Sequence, residues 1–417
     1  MPKPNLSCTL VALLVSGTAG AALPDYGTLE LQARCNLLVN DNGYNLPPGS
    51  SFNSITPAID NAAEVAFPVQ VVPDGGSSHP GIWSGSHGVG ELVYEGPTDS
   101  LVSSASPLND AAEIVFTLSD TGGADGMYVY DPLAGTASRI STVPVIPDYY
   151  GSPDINGAGE LGFQANFSSG RALASTGSDG TVIHVGDSGV SPGSPYTYLY
   201  TPAFNDQRRI AAKVATSPDQ FTNVEIRIFD ADGDSQRILA NQATDPDSPY
   251  SKFDNGLALN DSGVIAVVAT RASDNRRVVL RSDGTTTTEI AAVDPAGTIR
   301  GIEVFRPVIN HRGWVAFRAV DAGGQAIYIG DGTELVRVIG KGDVVDTDLG
   351  SGQIGQDNDN DPVFGGAPAI DDNGDIAFVA GLHPEGDPLT EWGSGVFVAY
   401  AKPVIDDRIF TSGFEPD

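Results

Sequence analysis

The chain has 417 residues, with 22 Lys+Arg against 53 Asp+Glu, a net charge of −31, 40% hydrophobic residues, 50 Gly and 29 Pro. The charge repels nucleic acid and anionic membranes and so excludes them as general partners. The apolar content excludes wholesale disorder. The Gly and Pro content favours many short strands and turns over helices, and the length exceeds one ordinary globular core, so a single domain requires a modular plan.

The chain opens on MPKPNLSCTLVALLVSGTAGAALPDYG. Lys3 supplies a basic start, residues 9–15 a short apolar run, and AGAA at 19–22 a small-residue cleavage site. This pattern predicts a secretory signal peptide over 1–21 and an exported protein, extracellular, at the cell surface or periplasmic. No later stretch reaches the ~20 apolar residues that span a membrane. Loss of Cys8 with the leader leaves Cys35 as the one cysteine, so no intramolecular disulfide is expected.

From residue 57 onward one eleven-residue pattern recurs without gaps: PAIDNAAEVAF (57–67), SPLNDAAEIVF (106–116), PDINGAGELGF (153–163), PAFNDQRRIAA (202–212), LALNDSGVIAV (257–267), PVINHRGWVAF (307–317) and PAIDDNGDIAF (368–378). The fourth position is always Asx: Asp60, Asn109, Asn156, Asn205, Asn260, Asn310 and Asp371, at spacings of 49, 47, 49, 55, 50 and 61 residues. Such a period marks a repeat architecture. The first three positions read as a strand, often led by Pro where a missing N–H costs least. Asx-x-x-Gly then reads as a turn in which Asx bonds its own backbone and the fourth corner takes positive φ. Gly159, Gly263, Gly313 and Gly374 fill that corner; Ala63, Ala112 and Arg208 replace Gly at an expected local cost near 1 kcal/mol. The alternating large and small residues that follow read as a second strand with two unlike faces.

Each unit continues into a second hairpin, for example at 126–141, 224–240, 277–293 and 326–340. Seven units of four antiparallel strands, A to D, predict an all-β, seven-bladed β-propeller over residues 22–400, followed by a tail over 401–417. The last unit lacks a good D strand, whereas YGTLELQARC (26–35) precedes the first unit unpaired. Residues 28–35 are therefore expected to supply strand D of the last blade and close the ring.

The pattern Asn-x-x-Gly-x-x-Ala-Phe resembles that of bacterial secreted tandem-repeat proteins named for this motif, which carry varied C-terminal anchors. The resemblance covers roughly 57–400, although the units headed by Asn205 and Asn260 lack the final Phe. It implies architecture and compartment and carries no established activity. The tail DDRIFTSGFEPD (406–417) has no apolar helix, and reads as a sorting or processing tag or a disordered terminus.

Two acidic stretches are candidate cation ligands. DADGDS (230–235) resembles the front of a calcium loop but lacks the bidentate Glu that should follow, and its register makes it a C–D turn. GQDNDNDPV (355–363) is the better candidate: Asp357, Asp359 and Asp361 alternate with Asn in the longest connector, 341–366, a hard-oxygen set suited to calcium. The five His residues show no metal-ligand spacing, and neither a G-x-S-x-G elbow nor a phosphate-binding glycine loop is present, so no catalytic residue is assigned.

Strand order puts A–B and C–D turns on one face of the disc, and the long D–A connectors and B–C loops on the other. Ligands concentrate on variable loops over a rigid scaffold, which points to the channel mouth on the long-loop face. Tyr149, Tyr150, Tyr196, Tyr198, Tyr200, Phe253 and Phe364 fall there, as stacking platforms or as a plug of the channel top. The expected function is that of a monomeric binding or surface-interaction module for a protein or glycan. A secreted hydrolase or lyase working at the same mouth is the alternative.

Overall fold

The structure is a computed structural model describing residues 22–36, 43–52, 54–73, 76–120, 122–123, 125–356 and 362–402. Proposed leader residues 1–21 and tail residues 403–417 lie outside the described residues. The described elements are all strands, arranged as seven antiparallel sheets. Blade 1 comprises Ser50–Ser51 with Ala58–Ile59 as strand A, Val65–Val71 as B, His79–Ser86 as C and Val89–Glu95 as D. Blades 2 to 6 repeat this order over 101–139, 149–186, 198–240, 250–292 and 301–340. The protein is a seven-bladed β-propeller.

Blade 7 closes the ring. Its strands A to C are Phe364–Ile370, Ile376–Pro384 and Gly393–Lys402, and its strand D is the N-terminal Asp25–Cys35. The clasp pairs antiparallel with strand C from Asp25 opposite Lys402 to Cys35 opposite Ser394. Leu31, Ala33 and Cys35 enter the flanking cores. Arg34, 1% exposed, grips Asp348 with two bonds of 2.9 and 2.8 Å and donates to the Trp392 carbonyl at 3.1 Å. The strand thus satisfies an edge that blade 7 otherwise leaves open.

The turns follow the repeat. All seven fourth corners have positive φ: Ala63 (60°), Ala112 (56°), Gly159 (74°), Arg208 (57°), Gly263 (82°), Gly313 (78°) and Gly374 (99°). In blade 3 the Asn156 Oδ1 accepts from the N–H groups of Ala158 and Glu160, and Asn310 does the same with Arg312 and Trp314. His311 and Arg312 are the turn residues between these corners, bound to Asp372 of the next blade.

Packing explains the Ala-Phe ending of the motif. Among the described residues, seven apolar clusters each lie between two adjacent blades, so the core is a set of seven interfaces around an axis. In each strand B the last residue of the motif faces the preceding blade and its neighbour the following one. Phe317 packs toward blade 5 and Ala316 toward blade 7; Phe67 packs toward blade 7 and Ala66 toward blade 2. One large and one small residue per interface let twisted sheets approach as wedges without leaving voids.

One segment departs from the sequence expectation. Connector 341–366, read as an irregular loop, contains a hairpin of Val344–Thr347 and Gly350–Ile354. Its second strand pairs with the end of strand B at Leu382, His383 and Pro384. Strand B of blade 7 outruns its inner strand, and the hairpin covers the exposed continuation while bringing Asp348 to Arg34.

Candidate functional site

The repeat register converts directly into depth along the central channel. Each strand A runs from the long-loop face toward the A–B turn face at ~3.3 Å per residue. The residue before the motif therefore stands nearest the long loops, the second and third positions lie inside, and the Asx marks the opposite mouth.

At that opposite mouth the Asx residues link blade to blade. Asn109 Nδ2 donates to the Asn156 carbonyl, and the chain continues from Asn156 to Asn205, Asn260, Asn310 and Asp371. It stops there, because Asp371 and Asp60 have no Nδ2. The break falls at the closing seam, where Asn61 substitutes by binding Asp110 on one side and Asp372 on the other. One residue further out, Asp110, Asp206, Asp261 and Asp372 accept N–H groups from neighbouring turns. Burial raises the Asp261 carboxyl, the Asp206 N–H lowers it, and the charges of Asp206 and Asp372 raise it again. These acidic groups are engaged in joining blades.

The channel interior holds a cavity of about 230 Å³ lined by residues of all seven blades. Third-position residues Ile59, Leu108, Phe204 and Ile370 line both this cavity and the one at the turn face, forming an apolar collar between them. On the long-loop side of the collar two charged residues face the cavity, Asp154 and Arg306. Burial raises the Asp154 carboxyl, while Arg306 and the Ile155 and Phe204 N–H groups, at 3.1 and 3.4 Å, oppose the rise. Sequence reasoning missed both residues. Their signal was available: Asp154 is the one charged residue at the second motif position, and Arg306 the one charged residue just before the motif.

A groove of about 500 Å³ lies beside them on the long-loop face, lined by Lys213, Lys252, Phe253, Asp254, Asn255, Gly256, Phe221 and Val304. Lys213 is 5% exposed, donates to the Phe253 carbonyl and Asn255 Oδ1 at 3.0 and 2.8 Å, and stands 4.2 Å from the Tyr200 ring centroid. Burial pulls its ammonium down to about 8, with Asp254 opposing. Phe221 and Val304 are 74% and 78% exposed at the rim.

The aromatic residues expected at the channel top sit elsewhere. None lines the channel cavity. Tyr150 packs on Phe163, Tyr196 on Phe229, and Phe364 on Phe378, inside or between blades. Tyr198 contacts Tyr200 and Arg171, and Phe253 alone of the set reaches the groove. Tyr149 is 60% exposed. Residues beside strand A do not point to the axis automatically, because the twist of each blade turns large side chains into the interfaces.

DADGDS is a plain C–D turn between Val224–Phe229 and Ser235–Ala240, closed by the Gly233 N–H to the Asp230 carbonyl. The calcium candidates Asp357, Asp359 and Asp361 lie outside the described residues. Among the described residues no group of three or more His, Cys, Asp or Glu could hold a metal. Ser175 and His184 are hydrogen-bonded at 2.9 Å, but both are buried and His184 faces the Phe229 carbonyl, so the pair acts inside the fold. Burial lowers the His184 pKa, while the hydrogen bond to the Phe229 carbonyl opposes the fall.

No protein-family model matches the chain, and no curated protein matches it. Solved structures do. The β-propeller domain of the Trilobed protease from Pyrococcus furiosus, described as having an open velcro topology, is 14% identical, with a TM-score of 0.55 over 85% of this chain and 99% of that one. An oligogalacturonate lyase in complex with manganese is 10% identical, with a TM-score of 0.52 over 91% of this chain and 98% of that one. At these identities the likeness shows the propeller fold alone.

Proposed function

We propose that the protein is an exported binding module that takes a protein or glycan ligand on the long-loop face, in the groove between blades 4, 5 and 6. The observation that carries this reading is the groove itself. In a chain of net charge −31 it combines Lys213 and Lys252, against the one carboxylate of Asp254, with exposed Phe221 and Val304. Single exposed apolar residues are ordinary, but two on the rim of a concave, locally cationic groove form an anchor-and-charge arrangement typical of recognition. The ligand it suits presents negative charge beside an apolar or aromatic part. The signal-like N-terminus and the resemblance to secreted repeat proteins support export. Among the described residues no helix is long and apolar enough to cross a membrane.

The test is binding to an acidic glycan panel and an Asp/Glu-rich, Phe-containing peptide library, comparing the native protein with Phe221→Ser and Lys252→Glu. At least one class should bind and lose tenfold or more in affinity with either substitution. Binding unaffected by both excludes the groove. The enzymatic alternative, a hydrolase or lyase, is favoured by one observation: two groups with displaced pKa values, Asp154 and Lys213, lie toward the same end of the channel. Turnover of a bound glycan or peptide that is lost in both Asp154→Asn and Lys213→Met would support it; binding without turnover refutes it.

A further inference from the structure

The upper chamber of the channel contains a guanidinium that makes no hydrogen bond among the described residues, although its charge acts on Asp154. The strongly buried arginines are tied down: Arg34 by Asp348, and Arg318 by Glu303 at 2.7 Å and the Gly366 carbonyl at 2.6 Å. Half-buried Arg277 likewise holds Asp254 at 2.6 and 3.2 Å. Arg306 is half-buried and faces the cavity, and among the described residues it makes no hydrogen bond or ion pair. Its stem lies against Gly256, where a Cβ would come within 2.9 Å of the Arg306 Cβ, so the absence of a side chain at 256 makes the room it occupies. Gly256 also lines the outer groove, which places Arg306 where groove and channel meet.

Two further polar groups border the same chamber without a side-chain hydrogen bond. Asp154 receives only backbone N–H groups. The six residues at its level are Ala58, Pro107, Ala203, Ala258, Val308 and Ala369, none of which offers a polar side chain. Ser106 is fully buried, lines the cavity, and its Oγ has no hydrogen-bond partner. An unmatched buried hydroxyl is costly, and beside it a half-buried guanidinium and carboxylate that share no hydrogen bond leave a small polar cavity that a ligand can complete. Below them the collar of Ile59, Leu108, Phe204 and Ile370 forms an apolar floor.

We propose that this chamber binds a small carboxylate that carries a hydrogen-bond donor next to it, an α-hydroxy or α-amino acid or a chain end of that chemistry. The Arg306 fork takes the carboxylate, which it matches in planar, two-bond geometry. Asp154 accepts from the adjacent hydroxyl or ammonium. The chamber discriminates against bare anions, because Asp154 repels a negative group that brings no donor. Its volume of about 230 Å³ suits a small molecule or a terminus and falls below the ~300–1,000 Å³ of drug-sized sites. The inference rests on the long-loop face being the ligand-binding face.

The test is calorimetric titration with L-lactate, glycine and acetate at millimolar concentrations. Lactate, glycine or both should bind, with acetate at least tenfold weaker; the two donors tell a hydroxy acid from an amino acid. Arg306→Gln should weaken binding at least tenfold, and Arg306→Lys, which keeps the charge and loses the fork, should fall between. Asp154→Asn should narrow the gap between glycine and acetate. Circular dichroism confirms that each variant is folded. Equal binding of all three probes, no binding of any, or binding indifferent to Arg306→Gln overturns the proposal. Phe221→Ser and Lys252→Glu report on the groove separately: loss of peptide or glycan binding there, with lactate and glycine failing to bind, leaves the groove reading standing and this one refuted.

Discussion

The closing seam offers a substitution expected to stabilise the protein. Asp371 is 4% exposed at the Asx corner of blade 7, and its carboxyl is pushed up to about 6 from 3.8, first by burial and then by the charge of Asp375. The Asn373 amide and the Gly374 and Asp375 N–H groups oppose the rise. A raised carboxyl means that the folded state holds its proton more tightly than the unfolded chain. Stability is therefore undiminished below the unfolded value, erodes as pH climbs from about 3.8 to about 6, and stays reduced above that window. The displacement corresponds to about 3 kcal/mol at pH 8. Asp371→Asn removes the charge and retains the Oδ1 that accepts from Gly374 and Asp375, but replaces the Oδ2 that accepts from the Asn373 amide at 3.1 Å, so the loss of that one bond offsets part of the gain. The expected gain is about 1–2 kcal/mol at pH 8, shrinking to below about 1 kcal/mol at pH 4, where the folded carboxyl is neutral and the unfolded one is only about half ionised. Urea unfolding followed by tryptophan fluorescence at both pH values measures this. A variant no more stable than the parent at pH 8, or a gain independent of pH, refutes the reasoning.

Three further outcomes follow from the same geometry. Ala112→Gly, at a partly exposed corner with φ of 56°, should raise stability by about 0.5–1 kcal/mol in the same urea assay, since glycine adopts that region without strain. Arg34→Ala leaves Asp348 unpaired inside the clasp and should cost about 3–5 kcal/mol; a melting temperature within 2 °C of the parent, about 0.5–1 kcal/mol at this size, would exclude the clasp as a structural closure. If Asp357, Asp359 and Asp361 hold calcium, EDTA should lower the melting temperature and added calcium restore it, whereas an unchanged melting curve removes calcium as a structural ligand.

Much of the fold was legible because the propeller writes the same physical requirement seven times. A positive φ at the fourth turn corner shows as Gly in four copies, and the corner survives at Ala63, Ala112 and Arg208 because the surrounding pattern identifies it. The missing last strand and the spare N-terminal strand announced their own pairing. The hairpin within 341–366 was not legible, since Val344–Thr347 and Gly350–Ile354 become strands only against the overhanging end of strand B. The aromatic residues near strand A were placed at the channel by their sequence position, whereas blade twist carries Tyr196 and Phe364 into the packed interior.

The candidate site divides the same way. Repetition in the chain determined the blade number, the turn chemistry, the closing strand and the face carrying the variable loops, all properties set by local geometry and period. Only the tertiary structure decided which exceptions matter. Asp154 and Arg306 lie 152 positions apart and break the repeat at two different places. The ring brings both into one cavity, floors it with an apolar collar, and leaves Arg306 near the Asp154 charge without the hydrogen-bonded carboxylate that Arg34 and Arg318 receive. A linear pattern specifies what each blade needs to fold, and the axis, which no single blade contains, specifies what is left over to bind.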